Sequence, residues 1–193
     1  LLEGCVGAPE APPEGDPTPI VGDGELPMEK ELNIYNWSDY IAEDTVANFE
    51  AEFGVKVNYS TYESNEEMMA KLQVGASGYD IVVPTGFIVT ILAQQGLLEP
   101  LVKKYLTNFG NVAPLFVNPS FDPENMFGVP WQWGTTGIAY RSDKVSPAPD
   151  SWGVFLDAKW KGKMTQMDDQ RDVIGSWLKF RGKSLNSKDP AEL

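Results

Sequence analysis

The chain has 193 residues, 42% of them hydrophobic and 22% charged, so it can bury a sizeable core in one large domain or two modest ones. The formal net charge of −13 argues against a nucleic acid partner, because phosphate binding needs clustered Lys and Arg. With no histidine and one cysteine, a Cys/His metal site, a Ser-His-Asp triad and an internal disulfide are excluded, and no cofactor or metal is expected.

Residues 1–27 are acidic and rich in Pro and Gly, with almost nothing to bury. This composition predicts a disordered tether, with folding beginning near Met28. Cys5 lies in "LLEGC", which resembles the lipobox of bacterial lipoproteins, where the cysteine carries lipid. We therefore predict a lipid anchor at Cys5 as the only attachment to a membrane. An incidental exposed thiol is the alternative, since the sequence does not contain the basic and apolar regions of a signal peptide.

Strands and helices alternate over residues 31–100. Leu32, Ile34 and their flanking residues are predicted as a short apolar strand that breaks into the polar run from Asn36 to Tyr40. "IAEDTVANFEAEFG" is predicted as a helix stopped by Gly54, and "VKVNYST" as a second strand with one buried face. Ser64 and Glu67 have the spacing of a capping box at the start of the second helix. "YDIVVP" is predicted as a strand covered on both faces, and "GFIVTILAQQGLLEP" as a third helix. The order β-α-β-α-β-α predicts an α/β fold with a parallel sheet.

The carboxyl ends of parallel strands are where such sheets bind ligands. The segment "NWSDY" after the first strand and "VVPTGF" after the third both fall at such ends. Polar side chains and aromatic rings therefore meet at the edge where a ligand is expected.

The rest of the chain is predicted to start a second lobe. Residues 101–128 are irregular and rich in turns, and "FGVPWQWGTTGIAYRS" has two strand-like pieces around Gly134. Trp152 and Leu156 fit a short helix. A further strand is predicted to end at Met167, followed by a helix. We therefore predict a first α/β lobe over 28–134 and a second over 135–193.

Asp168, Asp169 and Asp172 form the sharpest polar cluster in the chain. An Asp before a helix is a preferred N-cap, so one of them fits that structural role. Asp169 and Asp172 are three residues apart, which allows both carboxylates to face one cationic group. Paired carboxylates also serve glycoside hydrolysis, so a hydrolase using Asp168 or Asp169 is an alternative from another class.

Aromatic rings lie at several predicted strand ends and loops: Trp37, Tyr40, Phe87, Trp131 and Trp133. Most aromatic residues pack in cores, but Trp37 lies among polar residues at the end of a strand. Flat rings beside carboxylates suit an organic ammonium ion, whose methylenes need apolar walls and whose charge is attracted to the ring face. A sugar also binds to aromatic faces, so it stays an alternative.

Several motifs resemble, in order and spacing, those of the periplasmic spermidine/putrescine-binding proteins of bacterial polyamine ABC transporters. The motifs are "IYNWSDYI", "VNYSTYESNEEMMAKL", "YDIVVPTGFIV", "LTNFGNVAP", "FGVPWQWGTTGIAY" and "DDQRDV". The resemblance implies a type II periplasmic-binding-protein fold, with two lobes and a hinge, that closes on a polyamine. It also implies delivery to a membrane permease, an extracytoplasmic location and no catalysis. A receptor for another solute, such as a sugar or an amino acid, is the nearest alternative.

Carried over by motif, the resemblance implies a set of ligand-binding residues: Trp37, Ser38, Tyr40, Thr85, Phe87, Asp169 and Asp172. Thr85 replaces a Ser of the family, Phe87 replaces a Tyr, and Asp172 replaces a Glu. Family members are nearly twice as long, so the resemblance implies that the second lobe is incomplete in this chain and that a C-terminal half is missing. We therefore expect weak ligand binding by this part alone.

Overall fold

The computed structural model describes residues 29–75 and 78–193, which form two compact units. The first unit ends at Trp131 and the second runs from Gln132 to Leu193. The predicted tether over residues 1–27 and the predicted lipid attachment at Cys5 lie outside the described residues. Both therefore stay predictions.

The first unit contains a three-stranded parallel sheet, which confirms the predicted α/β topology. Its strands are β1 (Glu31–Trp37), β2 (Lys56–Tyr62) and β3 (Ile81–Val82), in the order β2-β1-β3. Trp37 lies directly opposite Tyr62 in the register, and Ile34 lies opposite Ile81. The strands therefore end at one edge of the sheet, where the polar and aromatic motifs follow.

Three helices connect and follow the strands, namely α1 (Thr45–Phe53), α2 (Asn65–Gln73) and α3 (Gly86–Gln94). Gly54 ends α1 in a left-handed conformation with φ of 64°, which an L side chain adopts only with strain. Ser64 caps α2 as predicted, since its side chain accepts a hydrogen bond from the Glu67 N–H at 3.2 Å. The Glu67 carboxylate accepts from the Glu63 N–H at 3.0 Å, one residue before the position that a capping box uses.

The core of the first unit lies between the sheet and the helices α2 and α3. It is formed by Tyr35, Tyr62, Met68, Ile88 and Leu92, all at most 4% exposed. Burial of these large apolar side chains, at about 25 cal/mol per Å² of apolar surface removed from water, is the main force that holds the sheet to the two helices. Trp37, at the carboxyl end of β1, packs against this core.

The apolar side chains on the other elements are less buried than their patterns predict. Phe49 and Phe53 of α1 stay 37% and 44% exposed, with ring centroids 4.6 Å apart. Ile81 of β3 is 45% exposed, so the prediction of a strand covered on both faces is wrong for this residue. Among the described residues β3 pairs only with β1, which leaves its other edge without a neighbouring strand.

The second unit is built from short helices and α4 (Gln170–Phe180). Two 3-10 helices, Trp152–Leu156 and Ala158–Trp160, precede it and match the predicted short helix. The strands predicted around Gly134 and before Met167 are wrong, since the structure has no strand between Gln132 and Leu193. A strand needs a neighbouring strand to satisfy its N–H and C=O groups, and the described part of this unit offers none.

Aromatic residues hold the second unit together. Trp152 stacks on Phe155 at 5.4 Å, and Phe155 meets Trp177 of α4 edge to face at 6.4 Å. Gly175 and Leu178 are the buried residues of α4. These contacts anchor α4, whose first turn carries the predicted acidic pair. Over residues 29–75 and 78–193, none of the helices has the length and apolar character needed to cross a bilayer.

Candidate aromatic and acidic site

The candidate site of the first unit begins at the last residue of β1. The Trp37 N–H donates to the side-chain oxygen of Asn36 at 2.8 Å, and Asp39 then adopts φ of 58°. Asn36 is 3% exposed, so its buried amide helps to end the strand without Gly or Pro. The turn presents Trp37, Ser38, Asp39 and Tyr40 in sequence, at the edge predicted for a ligand.

Two rings of this turn lie side by side. The centroids of Trp37 and Tyr40 are 6.0 Å apart with an angle of 35° between the ring planes. Both residues are half-buried, so neither is part of the closed core. Trp37 rests on the ring of Tyr62, at 4.6 Å between centroids. The ring of Trp37 therefore contacts the buried ring of Tyr62 on one side and lies next to the ring of Tyr40.

Two acidic residues, Asp39 and Glu63, follow the ends of β1 and β2 in the same unit. The hydroxyl of Ser38 donates to Glu63 Oε1 at 2.6 Å, which orients that carboxylate at the end of β2. Asp39 is exposed between Ser38 and Tyr40. Neither acid was among the predicted ligands, although Asp39 lies inside the motif "WSDY" and Glu63 follows β2 directly. Each could accept hydrogen bonds from an ammonium group.

Trp131 adds a third ring, which was among the aromatic candidates but not among the ligand-binding residues that the resemblance implies. Its indole N–H donates to the backbone oxygen of Tyr40 at 3.3 Å, and the residue is 58% exposed. The bond joins residues 91 positions apart in the chain. The signal for it in the sequence is that Trp131 is one of the aromatic residues at predicted strand ends and loops and lies in the motif "FGVPWQWGTTGIAY".

Thr85 and Phe87 lie after β3, at the start of α3. Asn65, which is 1% exposed, makes two bonds to Thr85: its amide donates to the Thr85 hydroxyl at 3.0 Å, and its oxygen accepts from the Thr85 N–H at 3.2 Å. Phe87 is half-buried and packs against the core cluster around Tyr35. Thr85 is thus held firmly at the strand end, while Phe87 contributes to packing.

Tyr62 stays a neutral phenol in this setting. Burial raises its pKa above the ordinary tyrosine value, and the nearby phenols of Tyr40, Tyr35 and Tyr59 raise it further. Its hydroxyl donates to the backbone oxygen of Val83. Tyr62 therefore acts as a hydrogen-bond donor rather than as a charged group.

The predicted acids of the second unit meet at the start of α4. Asp169 is the N-cap, since its Oδ1 accepts from the Asp172 N–H at 2.8 Å. Oδ2 of Asp172 in turn accepts from the hydroxyl of Thr136 at 3.0 Å. Both acids are half-buried, whereas Asp168 is exposed. Asp169 is thus the helix N-cap, one of the two roles that the sequence allowed for it. A carboxylate has about four acceptor positions, so capping does not exclude a cationic ligand.

The chemistry of these groups suits an organic cation. In the part of the chain that the structure describes, no group of three or more Cys, Asp or Glu side chains is arranged to hold a metal. The first unit offers the rings of Trp37, Tyr40 and Trp131 and, after the same strand ends, the acidic residues Asp39 and Glu63. Rings attract a cation to their faces and pack against methylenes, and carboxylates accept from its N–H groups.

Comparison with known proteins places the chain among solute-binding proteins. The family model described as bacterial extracellular solute-binding protein matches residues 44–193. The chain is 40% identical over 164 residues to the spermidine/putrescine-binding periplasmic protein of Escherichia coli strain K12. That match covers 84% of this chain and 47% of the relative. The resemblance predicted from the motifs is therefore confirmed.

Solved structures agree with this placement. The spermidine/putrescine ABC transporter substrate-binding protein PotD of Streptococcus pneumoniae matches with a TM-score of 0.67 and 38% identity, over 85% of this chain and 51% of that chain. The TpPotD lipoprotein of Treponema pallidum matches with a TM-score of 0.77 and 35% identity, over 84% of this chain and 51% of that chain. The type II binding-protein fold class is therefore confirmed, and the chain spans about half the length of the relatives it matches.

Proposed function

This chain belongs to the family of bacterial extracellular solute-binding proteins, and we propose that it takes part in capturing a polyamine, such as putrescine or spermidine, for import by an ABC transporter. The relatives from Escherichia coli and Streptococcus pneumoniae are named as spermidine/putrescine-binding and substrate-binding proteins, which supports the proposal. The proposed role is binding without catalysis, at the extracytoplasmic face of the membrane. The permease of the transporter is the proposed partner.

One observation carries the proposal: the tilted pair of Trp37 and Tyr40 lies in the same turn as Asp39, and Ser38 of that turn bonds Glu63. An alkyl diammonium ion has an apolar middle and charged ends, so it needs ring faces and carboxylates within a few ångströms of each other. A ring face contributes about 0.5–1 kcal/mol to cation binding when exposed, and about 2 kcal/mol or more when desolvated. A half-buried ring such as Trp37 falls between these limits.

We extend the proposal to the other residues that the motifs single out. Ser38 orients Glu63, Thr85 offers a hydroxyl fixed by Asn65, and Phe87 supports the core beneath the strand ends. In the second unit, Asp169 and Asp172 are proposed to accept from an ammonium group with the acceptor positions that capping does not use. Their half-buried setting favours this, because a charge pair gains more where water is partly excluded.

Calorimetric titration of the intact protein with putrescine, spermidine, a neutral sugar and a zwitterionic amino acid tests the proposal. Of the four compounds, only putrescine and spermidine are expected to show saturable binding. Their affinity should weaken with added salt, because the carboxylates attract the amines through charge. Binding of the sugar or the amino acid in preference to the amines would contradict the proposal. Hydrolysis of a glycoside that is lost in Asp169→Asn would favour the hydrolase instead.

We also propose a lipid anchor at Cys5. The support is the motif "LLEGC" together with the similarity to TpPotD, which is a lipoprotein. Mass spectrometry of protein purified from native membranes is expected to show a lipid-modified N-terminal cysteine corresponding to Cys5. An unmodified thiol there, with the preceding residues retained, would contradict the anchor.

A further inference from the structure

Tyr62 connects the carboxyl ends of all three strands. It is the last residue of β2, is 1% exposed and lies opposite Trp37 of β1 in the register. Its ring meets the Tyr35 ring edge to face at 4.8 Å and lies 4.6 Å from the Trp37 ring, at an angle of 53°. Its hydroxyl donates to the backbone oxygen of Val83, directly after β3. One side chain thus contacts the ends of the other two strands.

The strand order explains why this contact fixes geometry. Because β1 lies between β2 and β3, and neighbouring strands are about 4.8 Å apart, the phenol of Tyr62 must extend across the face of β1 to reach Val83. The ring therefore fills the space on which the Trp37 ring rests. Trp37 cannot tilt further towards the core without displacing Tyr62.

The Val83 peptide is held from two directions. Its N–H donates to the backbone oxygen of Tyr35 at 3.1 Å, and its oxygen accepts from Tyr62. Two residues later, Thr85 is held by both side-chain atoms of Asn65. The segment that carries Thr85 into α3 is thus attached to β1, to β2 through Tyr62, and to α2 through Asn65.

We propose that Tyr62 is a positioning residue for the cation site of the first unit. Its ring sets the angle of Trp37, and its hydroxyl holds the backbone of residues 83–85 so that Thr85 stays at the strand end. This inference rests on the proposed function, since it assigns Tyr62 a part in amine binding. Burial keeps the phenol protonated, so the donor is present throughout the physiological pH range.

A purely structural role for Tyr62 gives a different expectation. Tyr35 is buried in the same aromatic cluster to the same extent, at 1% exposed, and its ring contacts Tyr62. If Tyr62 only fills the core, then removing the hydroxyl of either tyrosine changes stability and leaves the site unaffected. Tyr35→Phe is therefore the matched control for Tyr62→Phe, since both variants keep the ring.

The test compares putrescine titration of the intact protein with amide hydrogen exchange at Thr85, at temperatures well below the unfolding midpoint of each variant. Tyr62→Phe is expected to raise the dissociation constant about 10-fold, the lower end of the effect of losing a supporting hydrogen bond at metal sites, and to speed exchange of the Thr85 N–H. Tyr35→Phe is expected to leave both quantities unchanged.

The outcomes separate the two proposals. An unchanged dissociation constant in Tyr62→Phe, or the same rise in Tyr35→Phe, would overturn the positioning role. Unchanged Thr85 exchange in Tyr62→Phe would overturn it as well, because the backbone would not depend on the hydroxyl. If the unmodified protein binds no polyamine, the proposed function fails, and the exchange measurement alone still decides whether Tyr62 holds residues 83–85.

Discussion

Replacing Asp169 by Asn separates the capping role of this residue from its proposed role in amine binding. The side-chain oxygen of Asn can accept from the Asp172 N–H as Oδ1 of Asp169 does, because Asn and Asp are about equally good N-caps. The substitution removes the negative charge and keeps the cap. Asp169→Ala removes both and is the matched comparison.

The expected magnitudes differ for stability and for affinity. Loss of the cap in Asp169→Ala should lower the free energy of unfolding by about 1 kcal/mol. Loss of the charge near the N-terminus of α4, in either variant, should lower it by about 0.3–1 kcal/mol. A hydrogen bond between charged groups contributes about 1.5–3 kcal/mol, so amine affinity should fall roughly 10- to 150-fold in both variants. Asp169 is half-buried, which places the expected loss in the lower part of this range.

Putrescine titration and thermal unfolding of the same intact variants provide both quantities. The expected result is a large loss of affinity in Asp169→Asn with a small change in the unfolding midpoint, and a loss of both in Asp169→Ala. If Asp169→Asn binds putrescine as tightly as the unmodified protein while Asp169→Ala is destabilised, then Asp169 is an N-cap and no ligand of the amine.

Three further substitutions test other parts of the structure. Trp37→Leu should raise the dissociation constant for putrescine by a factor of about 5 to 30, since a partly desolvated ring contributes about 1–2 kcal/mol to cation binding. Calorimetric titration measures this rise. An equal rise in Trp160→Leu would contradict the prediction. Gly54→Ala should lower the free energy of unfolding, measured in urea, by about 1–2 kcal/mol because φ of Gly54 is 64°. Gly110 does not have a positive φ, so Gly110→Ala is the control. An equal loss of stability in Gly110→Ala would show that backbone conformation is not the cause. Because the folded pKa of Tyr62 lies above the ordinary value of 10.0, its contribution to stability is complete below pH 10 and is lost as the pH rises further. Urea unfolding above pH 10 should therefore show a shallower decline in Tyr62→Phe, and an unchanged slope would refute this.

The local patterns of the sequence predicted the elements of the first unit well. Gly54 ends α1 and Ser64 caps α2 as their residue types predict, because these roles depend on one residue and its neighbours along the chain. The alternation of strands and helices predicted a parallel sheet, and the motif after β1 placed Trp37 and Tyr40 at the end of that strand, where the structure brings their rings to 6.0 Å.

Predictions that depended on distant partners were less accurate. The segment around Gly134 has residues typical of strands but forms none, since a strand requires a second strand beside it. Phe49 and Phe53 have helical spacing but stay partly exposed, because spacing predicts which face is apolar and does not supply the surface that would cover it. Of the two roles that the sequence allowed for Asp169, the structure shows the local capping bond, and the role in amine binding stays a proposal.

The sequence by itself determined that Gly54 ends α1 and Ser64 caps α2, that the sheet is parallel, and which residue types gather at its carboxyl edge. Tertiary structure alone decided that Trp131 bonds Tyr40, that Ser38 bonds Glu63, and that Tyr62 reaches across β1 to Val83. The physical reason is the range of the interactions. Caps and periodicity act over a few residues of the chain, whereas these bonds join residues that become neighbours only after the strands have paired.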